Sequence, residues 1–127
     1  MSNLQYGLPS LPAATDIDQD SLVKEVAGEF ALVDGASDVD VDDNIGALDV
    51  DAAAGDPVSP KRGPLVDYVR LADDADVSTG DLLQPGAGGT VDAYDDDTTG
   101  NVAIARCAGV DGDRVRLEFL TLPEVAA

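Results

Sequence analysis

The chain has 127 residues, the length of a single domain, and it carries 26 Asp and Glu against only seven Lys and Arg. The net charge of −19 argues against nucleic acid and anionic membrane surfaces as direct partners, because phosphate binding requires clustered basic side chains. There is no His, and a lone Cys cannot close an internal disulfide. Because 44% of the residues are hydrophobic and recur at strand spacing, we predict a folded domain rather than a disordered acidic tail.

The first 20 residues are predicted to form an extended arm. Pro9 and Pro12 exclude a regular helix and disfavour a central strand. Two interpretations remain open, a loose terminus or an arm whose apolar side chains dock on a neighbouring molecule. In the second interpretation the partner-binding residues of the arm are Leu4, Tyr6, Leu8 and Leu11.

Residues 21–33 carry conflicting signals. Asp20 or Ser21 is suited to cap a helix starting at Leu22, but the following residues are rich in β-prone side chains. We predict a strand over 29–33, preceded at most by a short helical turn.

Asp residues alternate through positions 38–42, a spacing that invites comparison with a calcium-binding loop. Asp43 stands where such a loop needs Gly, and Asp49 stands where it needs a bidentate Glu. We therefore predict an alternating strand with a solvated acidic face. Residues 95–97, three Asp in a row, are predicted to form a hairpin tip.

An internal echo spans the middle of the chain. Residues 44–48 and 55–58 can be laid over 101–105 and 112–115 with a constant offset of 57 residues. A Gly-Asp pair precedes an apolar residue in both copies and again at Gly80-Asp81. Each pair is predicted to make a turn that begins a strand, with the Asp bonding its own backbone two residues on. The alternative is coincidence in a chain rich in Gly and Asp.

Further strands are predicted over 65–71, 82–83, 102–107 and 115–119. In the last, apolar Val115, Leu117 and Phe119 alternate with charged residues, which is the period of a half-buried strand. Cys107 lies in a strand-like run and is predicted to be a buried, inert thiol. The Gly-rich stretch 84–89 lacks the Gly-Lys-Ser/Thr of a phosphate-binding loop, so we predict a flexible turn and no nucleotide.

These elements predict an all-β fold, a small antiparallel β-barrel or sandwich with an extended N-terminal arm. The expected organisation is an arm over 1–20, one β domain over 21–123 and a frayed tail over 124–127. No apolar run approaches the roughly 20 residues that span a bilayer, and no signal peptide is visible, so we expect no membrane partner.

The order of small-residue turns and strands resembles that of the head decoration (capsid cement) proteins of tailed phages. The segments that carry the resemblance are IGAL (45–48), AAAGDPV (52–58), VDYV (66–69), VSTGDLL (77–83), GGTV (88–91), VAIA (102–105) and GDRVRL (112–117). The resemblance implies a virion protein on the outer surface of the capsid. It also implies a homotrimer that binds the major capsid protein and clamps neighbouring capsomers.

The Asp-rich, Lys-poor composition resembles that of proteins from haloarchaea and their viruses. In ordinary buffer a charge of −19 repels itself and opposes compaction. At molar salt the Debye length falls to about 3 Å, which screens most of that repulsion. We therefore expect a tailed virus with a haloarchaeal host.

Two basic spots are further candidates for partner binding, because Arg forms bidentate pairs with carboxylates on an acidic partner. The residues of these spots are Lys61, Arg62, Arg114 and Arg116. Arg106 belongs to the second spot with Arg114 and Arg116, but for it we favour pairing with an Asp of its own chain.

Three classes of function are weighed. A structural, capsid-stabilising protein is favoured. The alternative is a β-barrel binding module of another halophilic virion or cell-surface protein, acting through its loops. An enzyme, the third class, would need a carboxylate pair, and the sequence singles out none. No catalytic residue, metal ligand or cofactor is predicted.

Overall fold

The computed structural model describes residues 10–39, 45–62, 66–95, 97 and 102–125. Short 3₁₀ turns cover Ala36–Asp38 and Ala87–Gly89. The strands are β1 (Leu11–Pro12), β2 (Leu22–Val26), β3 (Glu29–Leu32), β4 (Ile45–Ala47), β5 (Pro57–Val58), β6 (Val66–Arg70), β7 (Leu82–Pro85), β8 (Val91–Ala93), β9 (Val102–Asp111) and β10 (Arg114–Val125). The predicted all-β class is confirmed. Within the described ranges, no helix is long and apolar enough to cross a membrane.

The strands form three antiparallel sheets. The largest has the order β6-β10-β9-β7-β8, a second has the order β3-β2-β4, and β1 pairs with β5 in a two-stranded ribbon. One parallel bridge, between Leu71 and Val91, links the chain after β6 to the opposite edge strand β8. The large sheet is nevertheless not a closed barrel, and the arrangement is sandwich-like.

Two apolar cores lie on opposite faces of the three-stranded sheet. In β2, Leu22 belongs to the first core and the adjacent Val23 to the second, as the period of two along a strand requires. The first core also contains side chains from the large sheet, among them Leu83 and Leu117. The second contains Val58 from the ribbon. The small sheet is therefore buried on both faces and forms the middle layer of the molecule.

The predicted Gly-Asp turns are confirmed, because β5, β7 and β10 each begin directly after one. In the first two turns the Asp carboxylate accepts a hydrogen bond from the backbone N–H three residues earlier, Ala53 to Asp56 at 3.0 Å and Ser78 to Asp81 at 2.8 Å. The direction along the chain is thus opposite to the one predicted. The Asp is the last residue of the turn, and its carboxylate closes the turn through this hydrogen bond. The bond explains why a Gly-Asp pair recurs before strands.

The 57-residue echo does not extend to the arrangement of strands. β4 lies at the edge of the small sheet beside β2, whereas its counterpart β9 lies between β10 and β7. β5 pairs with β1 and does not lie beside β4, whereas β10 lies directly beside β9. The repeated residues therefore encode a repeated turn and not a repeated structural unit.

The region before β3 is a strand and not the helical turn that we considered. β2 and β3 form a hairpin in which Val26 pairs with Glu29, so Ala27 and Gly28 are its two turn residues. Both have positive φ, 52° and 83°, as a type I′ turn requires. The turn residues override the weak helix-capping signal at Asp20 and Ser21.

The alternating Asp segment departs from the predicted strand in its described part. Residues Ala36–Asp38 form a 3₁₀ turn, and 40–44 lie outside the described residues. The Asp38 carboxylate accepts a hydrogen bond from the Asp34 N–H at 2.9 Å. Asp side chains compete in this way with extended backbone, so the local bond outweighs the alternating pattern.

Other boundaries also differ from those predicted. The strands before and after residues 95–97, β8 and β9, are not neighbours in the sheet because β7 lies between them, so the predicted hairpin tip is wrong; residue 96 itself lies outside the described residues. The C-terminal strand does not end near residue 123, since Glu124 pairs with Ala103 and Val125 with Val102. β6 contains a bulge, where Tyr68 adopts a positive φ of 62°.

The Gly-rich stretch after β7 is a packing site rather than a flexible turn. The Gly89 N–H donates to the Val33 carbonyl at 2.7 Å and so ties the large sheet to the small one. A Cβ at Gly89 would lie 2.7 Å from Cδ1 of Leu32, closer than atoms can approach. Gly is needed here because the two sheets come together at this backbone.

The predicted N-terminal arm is integrated into the body over its described part. Ala13 and Ile17 are buried in the second core, and the Ile17 N–H donates to Ala52 at 2.8 Å. Asp20 is also buried. Residues 10–20 contain the short strand β1 and no regular helix, as the prolines predict, but they pack on the domain, so the described part of the predicted arm belongs to the body.

Candidate interaction surface

Of the four predicted arm residues, the structure describes one. Leu4, Tyr6 and Leu8 lie outside the described residues. Leu11 is half-buried in β1 and packs against the second core of its own chain. The position of Leu11 is therefore explained by folding, and the docking role of the other three stays a prediction.

Lys61 stands on the surface beside an acid of its own chain. Its Nζ lies 3.9 Å from Oδ2 of Asp49, and both side chains are 55% exposed. A pair at this distance, with both partners in water, contributes little to stability. The ammonium of Lys61 therefore remains accessible to another molecule.

Arg62 does not form an open basic spot with Lys61, because its guanidinium is half-buried and used internally. It donates from Nη1 to the Ile45 carbonyl at 3.0 Å and from Nη2 to the Leu120 carbonyl at 3.4 Å. Its guanidinium carbon lies 5.0 Å from the centre of the Phe119 ring, a cation–π distance. Burial lowers the pKa of Arg62 below its ordinary value. Arg62 thus joins the small sheet to β10.

The second basic spot is also engaged. Arg114 Nη1 lies 3.3 Å from Oδ2 of Asp20, whose side chain is only 10% exposed. Arg116 is half-buried and has an interaction partner in the protein. Arg114 is five residues from Phe119 along β10, roughly 17 Å on an extended strand, so the two predicted spots are well separated.

Arg106 behaves opposite to our expectation of pairing with an Asp. It is exposed, and in the described part of the chain its one hydrogen bond runs from Nη1 to the Gly80 carbonyl at 3.3 Å. None of the salt bridges among described residues includes it. Its guanidinium therefore has most of its donors available to another molecule.

A shallow groove lies beside Arg106. It has a volume of about 330 Å³ and is lined by Gly80, Asp81, Leu82, Ala93 and Tyr94. Leu82 pairs directly with Arg106 across β7 and β9, and the Tyr94 N–H donates to the Leu82 carbonyl at 3.0 Å. We call these five residues with Arg106 the Arg106 groove. It combines half-buried apolar side chains with an exposed guanidinium and an aromatic ring.

The only acid lining the Arg106 groove is engaged in its own turn. The Asp81 carboxylate accepts the Ser78 N–H at 2.8 Å, and this bond holds it toward the turn. Glu118 lies opposite Arg106 on β10, but no salt bridge among the described residues joins the two. In the groove a basic group, an aromatic ring and an apolar side chain meet. Tyr and Arg are the residue types most enriched where protein interfaces concentrate their binding energy.

A second cleft, of about 400 Å³, lies at the other side of the large sheet. Its lining includes Asp73, Asp74, Asp113 and Arg70. Arg70 already donates to the Ser21 hydroxyl at 2.9 Å and to the Gly88 carbonyl at 3.1 Å. The three carboxylates make this cleft anionic, so it is poorly suited to an acidic partner. Among the described residues, no group of His, Cys, Asp or Glu is arranged to hold a metal ion.

Cys107 is buried, which confirms that part of the prediction, while its inertness stays a prediction. Sequence reasoning did not find the Arg106 groove, although one signal was present. Leu82 and Leu83 are adjacent in a short strand, and neighbouring residues of a strand face opposite sides. Leu83 is fully buried, so Leu82 is left on the outer face. Tyr94 joins it only through the pairing of β7 with β8.

Comparisons with protein-family models, with curated proteins and with solved structures found no match to this chain.

Proposed function

We propose that this protein is a structural virion protein that binds the outside of an icosahedral capsid shell and stabilises contacts between capsomers in high salt. The observation that supports this most is the position of the segments that resemble capsid decoration proteins. Each of the seven coincides with a strand or with the turn that begins one, from β4 to β10. The resemblance therefore lies in the elements that build the fold.

The surface supports the high-salt part of the proposal. The Asp residues of the turns are exposed, including Asp49, Asp51, Asp73, Asp74 and Asp76. Such carboxylates repel one another in dilute buffer and keep the protein soluble in concentrated salt. A protein carrying this surface acts where salt is concentrated, and its partner surfaces are acidic for the same reason.

The body is suited to clamping other subunits because it is stiff. Its small sheet is buried on both faces, and side chains such as Arg62 tie separate sheets together. Among the described residues, the exposed large apolar side chains are three single valines and not a continuous apolar surface: Val26, Val50 and Val110. Attachment would therefore use mixed polar and apolar contacts rather than a wholly apolar interface.

The proposal is tested by co-sedimentation with assembled capsid shells in 3 M KCl. We expect saturable binding at a fixed ratio to the major capsid protein. A chain lacking residues 2–9 should keep its fold and bind more weakly, because Leu4, Tyr6 and Leu8 are removed while Ala13 and Ile17 stay in the core. Recovery of the full chain in the supernatant at every shell concentration would contradict the proposed function.

A further inference from the structure

The acidic chain keeps one exposed arginine without a carboxylate partner among its described residues, although the chain contains 26 acidic residues. Arg114 pairs with Asp20, Arg62 is half-buried on carbonyls and a ring, and Arg70 donates to Ser21 and Gly88. Arg106 has only a long bond of 3.3 Å to a carbonyl. Its donors are therefore the ones best placed to meet a carboxylate from outside.

The surroundings of Arg106 define what would accompany that carboxylate. Leu82 pairs with Arg106, and Tyr94 lines the groove beside it. These side chains are half-buried and offer an apolar wall next to the guanidinium. A ligand that fits both parts carries a carboxylate and an apolar side chain close together.

We propose that the Arg106 groove binds a segment of a partner protein in which a Glu or Asp stands next to an apolar side chain. The carboxylate pairs with the Arg106 guanidinium, and the apolar side chain lies against Leu82 and Tyr94. This deepens the proposed function by naming the chemistry of the bound segment, and it rests on that function only for the identity of the partner.

High salt does not abolish such a contact. At molar salt the Debye length of about 3 Å removes long-range repulsion between the two acidic surfaces. A guanidinium and a carboxylate in direct contact still form a paired hydrogen bond of fixed geometry. The net charge of −19 is therefore no obstacle to an acidic ligand at this one position.

A matched pair of peptides tests the groove without any capsid. Acetyl-Leu-Glu-Leu-amide and acetyl-Leu-Gln-Leu-amide are titrated into the isotopically labelled full chain in 2 M KCl, and amide signals are followed by NMR. We expect the Glu peptide to cause saturable shifts at Gly80, Asp81, Leu82 and Tyr94. The Gln peptide should bind about tenfold more weakly, because it lacks the charge-assisted bond.

Variants connect the binding to Arg106. Arg106→Gln should weaken the Glu peptide about tenfold, and Arg106→Lys should restore little, because an ammonium lacks the planar fork. Both should melt within about 3 °C of the wild type, since the side chain is exposed. Lys61→Gln, which removes another exposed positive charge, serves as the control and should keep full peptide affinity. Equal binding of the two peptides, or unchanged affinity in Arg106→Gln, would overturn the proposal.

The same variants distinguish the groove from the proposed function. Arg106→Gln should also weaken binding to assembled shells. If the wild type binds the Glu peptide through Arg106 but does not sediment with shells, the groove is supported and the capsid function is contradicted. If the wild type binds shells while Arg106→Gln binds them equally well, the groove proposal fails and the capsid function stands.

Discussion

The chain has two lysines, Lys24 and Lys61, and their ion pairs differ in solvent exposure. The Lys24 side chain is 16% exposed, and its Nζ lies 2.9 Å from Oδ1 of Asp38. Burial raises the pKa of Asp38, but the Asp34 N–H and the Lys24 ammonium outweigh it, so the net pKa is lowered. Lys24 also bonds the Asp38 carbonyl, which anchors the 3₁₀ turn to β2.

Replacing Lys24 with Met should destabilise the protein by about 1 kcal/mol at pH 7. Because the pKa of Asp38 is lower in the folded state than in the unfolded one, its ionic contribution is complete above the ordinary Asp pKa, near 4, and is lost as pH falls through the folded value. The difference in unfolding free energy between wild type and Lys24→Met should therefore shrink at pH 3. Denaturant unfolding in 3 M KCl at both pH values measures it.

Lys61→Met is the matched control, because Lys61 and Asp49 are both 55% exposed and 3.9 Å apart. It should change the unfolding free energy by less than about 0.5 kcal/mol. An equal loss in the two Lys variants, or a Lys24→Met loss that does not shrink at pH 3, would show that the Asp38 pair does not anchor the turn.

The pair of Asp20 and Arg114 is a second residue-scale test. The Asp20 side chain is 10% exposed, so removing its cation leaves a nearly buried carboxylate uncompensated. Arg114→Gln should cost about 1–3 kcal/mol. Asp20 has a φ of 65°, which Asn tolerates, so Asp20→Asn in the Arg114→Gln background should recover part of that loss. A double variant no more stable than Arg114→Gln would contradict this account.

At the scale of elements, the sequence predicted the strands that have a clear apolar period. The expected strands at 102–107 and 115–119 lie within β9 and β10, and that at 29–33 corresponds closely to β3. The misses have local causes. β2 was obscured because its turn is Ala27-Gly28, and Ala gives no sign of positive φ. The 3₁₀ turn at Ala36–Asp38 depends on a side-chain bond to Asp34 that alternation does not reveal.

The β2–β3 turn gives a prediction of its own. Ala27 has a φ of 52°, a conformation that costs free energy for any residue with a Cβ and that Asn tolerates better. Ala27→Asn creates the Asn-Gly pair favoured in two-residue hairpins, so it should stabilise the protein by about 0.5–1 kcal/mol. Thermal melting in 3 M KCl measures the gain.

Ala54→Asn is the control for the hairpin prediction. Ala54 is also an exposed turn residue beside a Gly, but its φ is not positive, so Asn offers no conformational relief there. The control should leave the melting temperature unchanged or lower it. A gain at Ala54 as large as that at Ala27 would mean that Asn acts through something other than the turn.

The candidate site was less predictable than the strands. Which arginine is free depends on contacts between residues far apart in the chain, such as Arg114 with Asp20 and Arg62 with Leu120. The Arg106 groove depends on β8 lying beside β7 at the edge of the large sheet. Periodicity decides which side chains point outward, but only sheet order decides which of them become neighbours.

At the scale of the whole molecule, the fold has more layers than the sequence suggested. Residues 10–20 were expected to leave the domain, but Ala13 and Ile17 help to bury the second face of the small sheet. The apolar interior is thereby divided in two, and among the described acidic residues with an assigned exposure all but Asp20 are at least partly exposed. The balance between apolar burial and repulsion among surface carboxylates therefore decides whether the molecule stays folded.

That balance predicts a strong dependence on salt. Raising KCl from 0.1 to 3 M should increase the melting temperature by about 10 °C or more, because screening removes repulsion worth about 2 kcal/mol or more. A domain of similar size with balanced charge, melted over the same range, provides the control. A melting temperature that is the same at both salt concentrations would contradict the halophilic interpretation.

A reconstruction of the virus particle in its native salt tests the capsid function most directly. We predict density for the three-layered β body at symmetry-related positions on the outer face of the shell, spanning the boundary between capsomers, with the Arg106 groove against a neighbouring subunit. The proposed function would be contradicted if the reconstruction lacked this density on the outer surface and the purified particles contained none of this chain.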